Sequence, residues 1–230
     1  MKKNKITIAI DGPAGSGKST VAKRVAEALG LLYLDTGAMY RAVTLKALQA
    51  GISPTDGEKL AALAAETDLS FVRAVDGTYH LFMDGQDVSG EIRSAPVTMN
   101  VSAVSAIPKV REVLVKQQQA IARPGGVVMD GRDIGTVVLP QADLKIFLTA
   151  SLEERARRRW LELKANGFSG TQEEIAVDLE RRDAFDAGRA VSPLKPAPDS
   201  IIIDTSMLGI EEVVGRILTL ASSFFSRQED

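Results

Sequence analysis

Five short, largely apolar runs, rich in β-branched side chains and interrupted only by Thr7 and Lys145, punctuate the chain at 6–10, 31–34, 127–129, 144–148 and 201–203. Apolarity that does not alternate predicts strands covered on both faces, as in a parallel sheet. The segments between them carry helical periodicity. Val21, Ala22, Val25, Ala26 and Leu29 form one stripe that ends at Gly30, a C-terminal cap, and Ile210, Val213, Val214, Ile217, Leu218 and Ala221 form another near the end of the chain. Strands alternating with helices predict an α/β doubly wound core with a five-stranded parallel sheet.

Two stretches interrupt this rhythm. Residues 69–73 and 79–83 read as antiparallel strands joined through Asp76-Gly77, with Asp84-Gly85 following; aspartate-glycine pairs accept the positive φ of tight turns. This predicts a small antiparallel β insertion. Residues 153–189 read as charged helix broken at Gly167-Phe168-Ser169-Gly170, with a proline-rich return from Pro193 to Pro198, and predict a helical lid.

The strongest chemical signal lies between the first strand and the first helix. Gly12-Pro13-Ala14-Gly15-Ser16-Gly17-Lys18-Ser19, followed by Thr20, fits G-x-x-x-x-G-K-[ST] in its required strand-loop-helix context. Such a loop turns backbone N–H groups toward phosphate oxygens at a helix N-terminus, while Lys18 reaches the terminal phosphates and Ser19 ligates Mg²⁺. The apolar strand ending at Asp130, with Gly131-Arg132-Asp133 directly after it, sets two carboxylates around a guanidinium at the carboxyl edge of the sheet, where ligands bind. Asp130 can act on magnesium through water or by orienting Arg132. Arg41 lies one turn into the helix opened by Asp35-Thr36-Gly37, placed to grip a second phosphate or to pair locally. Arg155, Arg158 and Arg159 share a helix face by i, i+3, i+4 spacing, either as surface partners of Glu154 or as lid cations for a transferring phosphoryl group; Arg182 and Asp186, with Arg189 beyond, pose the same choice.

Composition narrows the chemistry further. The chain has 230 residues, 45% of them hydrophobic and 25% charged, no cysteine and one histidine. Disulfides, thiolate metal sites, a cysteine nucleophile and a histidine cluster are therefore excluded, and His80 and Trp160 read as structural. A net charge of -2 argues against nucleic-acid polymers and anionic membranes as partners. The apolar run after Met1-Lys2-Lys3-Asn4-Lys5 stops at Asp11, and no apolar stretch approaches eighteen residues, so no export signal or membrane span is expected and a cytoplasmic location is. Scarce imidazole suits an acceptor that is already ionised, such as a phosphate monoester, which needs cations and alignment more than a base. A guanine-nucleotide switch is disfavoured because Asn4-Lys5, the only Asn-Lys pair, precedes the loop and lacks the aspartate of that base-reading motif.

Taken in order, the loop at 12–19, Leu34-Asp35-Thr36-Gly37-Ala38-Met39-Tyr40-Arg41, Asp87-Val88-Ser89-Gly90-Glu91-Ile92-Arg93, Asp130-Gly131-Arg132-Asp133-Ile134-Gly135-Thr136-Val137-Val138 and Lys145-Ile146-Phe147-Leu148 resemble the bacterial cytidylate kinase family. The resemblance runs from about residue 5 to 220. It implies ATP- and Mg²⁺-dependent phosphorylation of CMP or dCMP by a monomer with a core (1–37, 103–152 and 190–230), a monophosphate-binding region (38–102) and a lid (153–189). By position it assigns Arg41, Arg132 and Arg189 to the acceptor phosphate, Ser102, Arg111 and Asp133 to the cytosine edge, and Arg182 and Asp186 to the sugar, with Thr36 and Tyr40 in the same acceptor set. Thr36 stands where some relatives carry serine. Lys18, Asp130, Arg132 and Arg158 form the expected catalytic set, and Arg155, Arg158 and Arg159 are expected to join the loop in binding ATP.

Overall fold

In the computed structural model, residues 6–75, 77–165 and 167–226 are described. The elements in chain order begin with β1 (Thr7–Asp11), α1 (Lys18–Leu29), β2 (Leu32–Asp35), α2 (Thr36–Gln49) and α3 (Gly57–Glu66). They continue with β3 (Leu69–Arg73), β4 (Tyr79–Met83), β5 (Gln86–Asp87), α4 (Ala95–Ala106) and α5 (Pro108–Ala122). The last are β6 (Val127–Gly131), β7 (Leu144–Thr149), α6 (Leu152–Ala165), α7 (Gln172–Ala187), β8 (Ile201–Asp204) and α8 (Ile210–Ser226). They group into two compact units, residues 1–33 with 124–230 and residues 34–123.

The first unit is built on the five apolar runs, each of which forms a strand. The sheet order is β2-β6-β1-β7-β8, with parallel pairing of β1 to β6 and β7 and of β7 to β8. Register sets Asp11 beside Gly131 and Phe147, so the loop after β1 and the segment after β6 leave the sheet at one edge. Ile8, Ala9, Ile10, Val127, Val128, Met129, Ile146 and Leu148 are buried, as runs covered on both faces must be, whereas in β8, last in the sheet order, Ile203 is buried but Ile201 and Ile202 are exposed, so that run is not covered on both faces. Helix α1 turns its Val21, Ala22, Val25 and Ala26 stripe inward and closes at Gly30, whose φ of 63° admits the left-handed cap. Along α8 the buried stripe is Val213, Val214, Ile217 and Ala221, whereas Ile210, at the first turn, is 45% exposed. Beyond β6, residues Ile134–Val138 form one wide helical turn in which the Leu139 amide donates back to Ile134 at 2.6 Å. Such turns are rare and concentrate at functional sites.

Helices α6 and α7 pack on each other through Ala156, Ile175 and Leu179, with Trp160, Leu163 and Ala14 of the phosphate loop against the same cluster. The break between them is ordered by backbone capping. The Gly167 amide donates to Lys164 and that of Phe168 to Leu163, and α7 then opens on a reciprocal capping box of Thr171 and Glu174. Trp160 is structural, its indole N–H donating to the Gly170 carbonyl at 3.0 Å.

In the second unit, β3 and β4 pair antiparallel over the expected residues, and Asp84-Gly85, both at positive φ, turns β4 into β5. Asp76, half of the expected first turn, lies outside the described residues. The result is the expected small antiparallel insertion, with three strands in the order β3-β4-β5. Its inner side chains, Leu81 and Met83, pack with Ala38, Ala42 and Leu45 of α2 and with Val88, Ile92 and Val97. Burial of this face makes the sheet part of that unit's core. His80 lies toward its exterior, held by Asp87 at 2.6 Å and Thr78 at 2.9 Å.

Candidate active site

At the end of β1 the chain turns sharply because Gly12 has no side chain; a Cβ there would run into the Leu148 carbonyl oxygen. Gly15, at φ 79°, lets the loop lie directly against the backbone of Arg155. The loop then enters α1, whose first residue, Lys18, is 8% exposed and donates from Nζ to the Pro13 carbonyl at 3.2 Å. Buried α1 side chains anchor this helix end, so a row of amides and one ammonium are held without rearranging the core.

Asp130 closes the far side of this arrangement. It is 2% exposed; Ser19 Oγ donates to its Oδ2 at 2.7 Å and the Tyr33 hydroxyl donates to its Oδ1 at 2.8 Å. One hydroxyl and one carboxylate side by side are hard oxygen donors of the kind that could hold a divalent cation. Among the described residues no group of three or more acidic or histidine side chains forms a metal cage. Asp130 thus accepts from Ser19 and Tyr33, while the Arg132 guanidinium donates to a different carboxylate.

The Arg132 Nε donates to Asp186 Oδ2 at 2.9 Å, and Arg189 pairs with Oδ1 of the same carboxylate. Asp186 is 1% exposed, so α7 draws two guanidinium groups onto one buried charge. Asp133 is buried as well, at the start of the wide turn. The amides of Ile134 and Gly135 in that turn donate, at 2.8 Å each, to Asp11. Burial raises the Asp11 carboxyl to about 6 against the opposing pull of those two amides.

The three arginines expected on one face of α6 separate. Arg155 is buried; it donates to Ala150 and Ala14 carbonyls at 3.1 Å each and pairs with Asp183 at 2.6 Å. Arg158 spans Glu154 at 2.8 Å and Thr205, whose hydroxyl and carbonyl oxygens it meets at 3.0 and 2.6 Å. Arg159 pairs with Glu162 at 2.8 Å. Helical spacing aligned their Cβ atoms, but each long side chain swings to its own oxygen partner. Hydrogen bonds from Arg157, then Arg158, hold the Glu154 carboxyl down at about 2.

In the second unit, Asp35 caps α2 through the Ala38 amide at 3.0 Å, and Thr36 and Tyr40 are buried along that helix. Arg41 donates to the Ile92 carbonyl at 3.1 Å and to Thr98 at 2.9 Å. Arg111 of α5 is 3% exposed, donates to the Ser105 carbonyl at 3.0 Å and stacks its guanidinium 5.1 Å from the Tyr40 ring centre. Ser102, half-buried, is on α4. Arg182, half-buried on α7, lies with Asp186 in the first unit.

Sequence reasoning missed Tyr33, Asp11, Asp183 and Thr205. Only Asp11 carried a signal, a charge ending an otherwise apolar strand.

A family model described as cytidylate kinase matches residues 8–223. The chain belongs to the cytidylate kinase family. It is 56% identical over 220 residues to a "Cytidylate kinase" of Desulfitobacterium hafniense, covering 96% of this chain and 94% of that protein. A second "Cytidylate kinase", from Caldanaerobacter subterraneus subsp. tengcongensis, is 55% identical over 212 residues and 92% of each chain. A crystal structure of an uncharacterized protein from Eubacterium ventriosum matches with a TM-score of 0.54 at 14% identity, over 96% of this chain and 99% of that one, a likeness of fold alone. Among the described residues no helix is long and apolar enough to cross a membrane.

Proposed function

We propose that this chain transfers the γ-phosphoryl group of ATP to CMP or dCMP, giving CDP or dCDP and ADP, as its family membership supports. The observation that carries the transfer half is the 2.7 Å contact between Ser19 and Asp130 beside the glycine-turned loop. The loop amides and Lys18 hold the β- and γ-phosphates, and the Ser19 hydroxyl with Asp130 receives a divalent ion, Mg²⁺. That ion, when bound with ATP, offsets phosphate charge and fixes the leaving group's orientation. Positioning and electrostatics carry the catalysis, and no side chain has to deprotonate a phosphate monoester.

For the acceptor, Arg132 and Arg189 are already gathered on Asp186. A phosphate competes for both guanidinium groups and releases the Asp186 carboxylate to accept from the sugar, with Arg182 beside it. Arg41 serves the same phosphate, and Thr36 and Tyr40 belong to the same set. Ser102, Arg111 and Asp133 read the base: carboxylate and hydroxyl oxygens accept from the cytosine amine, and a guanidinium donates to its ring nitrogen and carbonyl. The core, acceptor region and lid are proposed at the boundaries expected from sequence, with Arg158 leaving Thr205 to meet the transferring group and Arg155 supporting the loop from behind.

Asp133→Asn keeps size but turns an acceptor into a donor. The CMP kcat/KM is expected to fall about 5- to 150-fold, the equivalent of about 1–3 kcal/mol, while UMP, whose carbonyl needs a donor there, loses less or gains. Coupled ADP-formation assays on both nucleotides read the ratio. Equal losses would remove Asp133 from base recognition, and equal wild-type activity on all monophosphates would overturn the cytidine assignment.

A further inference from the structure

We infer that Tyr33 is a positioning residue for the metal end of the donor site, acting through Asp130; the inference rests on the donor reading above. Tyr33 is 1% exposed, and its hydroxyl takes Asp130 Oδ1 while Ser19 takes Oδ2. The two donors come from separate elements, β2 and the first turn of α1. A carboxylate turns about a soft, broad torsion. Held at one oxygen it could swing and carry that oxygen away from Ser19; held at both, its plane is set.

Ser19 needs that constraint. To give a lone pair to a metal ion, its hydroxyl must aim its proton elsewhere, and Asp130 Oδ2 is the acceptor in place. Tyr33 keeps this acceptor from rotating, so the Ser19 oxygen is presented before the ion arrives. A buried tyrosine needs some partner in any case, and a carbonyl would satisfy it. Its partner is instead the carboxylate on which Ser19 depends, and this predicts an effect specific to the metal. The Lys23 ammonium lies 5.7 Å from the Tyr33 ring centre, a contact that phenylalanine retains.

The test is Tyr33→Phe, with binding of a fluorescent ADP analogue titrated by Mg²⁺ and repeated in EDTA. The half-saturating Mg²⁺ concentration is expected to rise about 10-fold, in the range seen when partners of metal ligands are removed, with metal-free binding changed less than about 2-fold. Should Tyr33→Phe melt early, a site-specific 4-fluorophenylalanine at position 33, which fills the place of the hydroxyl with a fluorine that cannot donate, is expected to show the same rise. An unchanged Mg²⁺ dependence, or equal losses with and without metal, would overturn the role of Tyr33. Absence of any Mg²⁺-dependent ADP binding by the wild type would instead overturn the donor reading itself.

Discussion

At the scale of the single residue, the site is organised by buried carboxylates that each hold other groups in place. Asp130 holds Ser19 and Tyr33, Asp186 gathers Arg132 and Arg189, and Asp11 secures the amides of Ile134 and Gly135. Asp11 carries a measurable consequence, because burial raises its carboxyl from 3.8 to about 6. An acid with a raised folded-state pKa favours folding while protonated, so its contribution is fully present below about pH 4 and is lost as pH rises through about 6. Two pH units correspond to about 3 kcal/mol at most. Asp11→Asn removes this titration, so wild-type stability relative to the variant should be greater at pH 4.5 than at pH 7.5, as read by urea unfolding. A stability difference independent of pH over that interval would rule out the raised carboxyl. Asp11 could be noticed in sequence as a charge ending an apolar strand, but its two amide partners lie more than 120 residues away, beyond any local pattern.

Elements translate these contacts into alignment. On α7, Asp183 and Asp186 are one turn apart and reach different groups, Asp183 pairing with Arg155, which also bonds Ala14 of the phosphate loop, and Asp186 pairing with Arg132 and Arg189. Asp183→Ala leaves a buried guanidinium with carbonyl partners only. Breaking a fully buried pair costs about 3–5 kcal/mol, and because the Asp183 side chain remains 23% exposed the loss here should be nearer about 2 kcal/mol, visible in thermal unfolding. The same variant should weaken ATP affinity, since Arg155 braces the loop; ATP affinity equal to wild type would confine Asp183 to stability. On α5 the Gln118 amide, 1% exposed, has no hydrogen-bond partner among the described residues. Gln118→Leu should therefore raise stability by about 1–2 kcal/mol, and a drop in Tm would show that the amide is satisfied after all. Periodicity placed the stripe of α1 and its glycine cap, yet it also suggested that Arg155, Arg158 and Arg159 act together. Spacing specifies where Cβ atoms lie, whereas the tips of arginines go to whichever oxygen tertiary packing supplies.

For the whole molecule, ligand linkage offers a direct check on the donor reading. ADP with Mg²⁺ at 100 times its Kd should stabilise the unit carrying the phosphate loop by about 2.7 kcal/mol, and at about 2–4 °C per kcal/mol its Tm should rise by roughly 5–10 °C. Lys18→Ala should abolish most of that rise while melting near the wild type without nucleotide; a full rise in the variant would exclude Lys18 from phosphate binding. The sequence alone determined the α/β class, the five strands and the phosphate loop, because continuous apolar runs and a glycine-lysine spacing are local physical requirements of buried strands and anion cradles. It also carried the family resemblance, because that rests on ordered motifs. Only the tertiary structure decided that Asp130 accepts from both Ser19 and Tyr33, that Asp186 joins Arg132 to Arg189, that Arg155 is buried against Ala14 and Asp183, and that the antiparallel insertion closes a core. Each of these depends on which charge or apolar face meets which across tens of residues, and burial, which makes such meetings energetically decisive, exists only once the chain has folded.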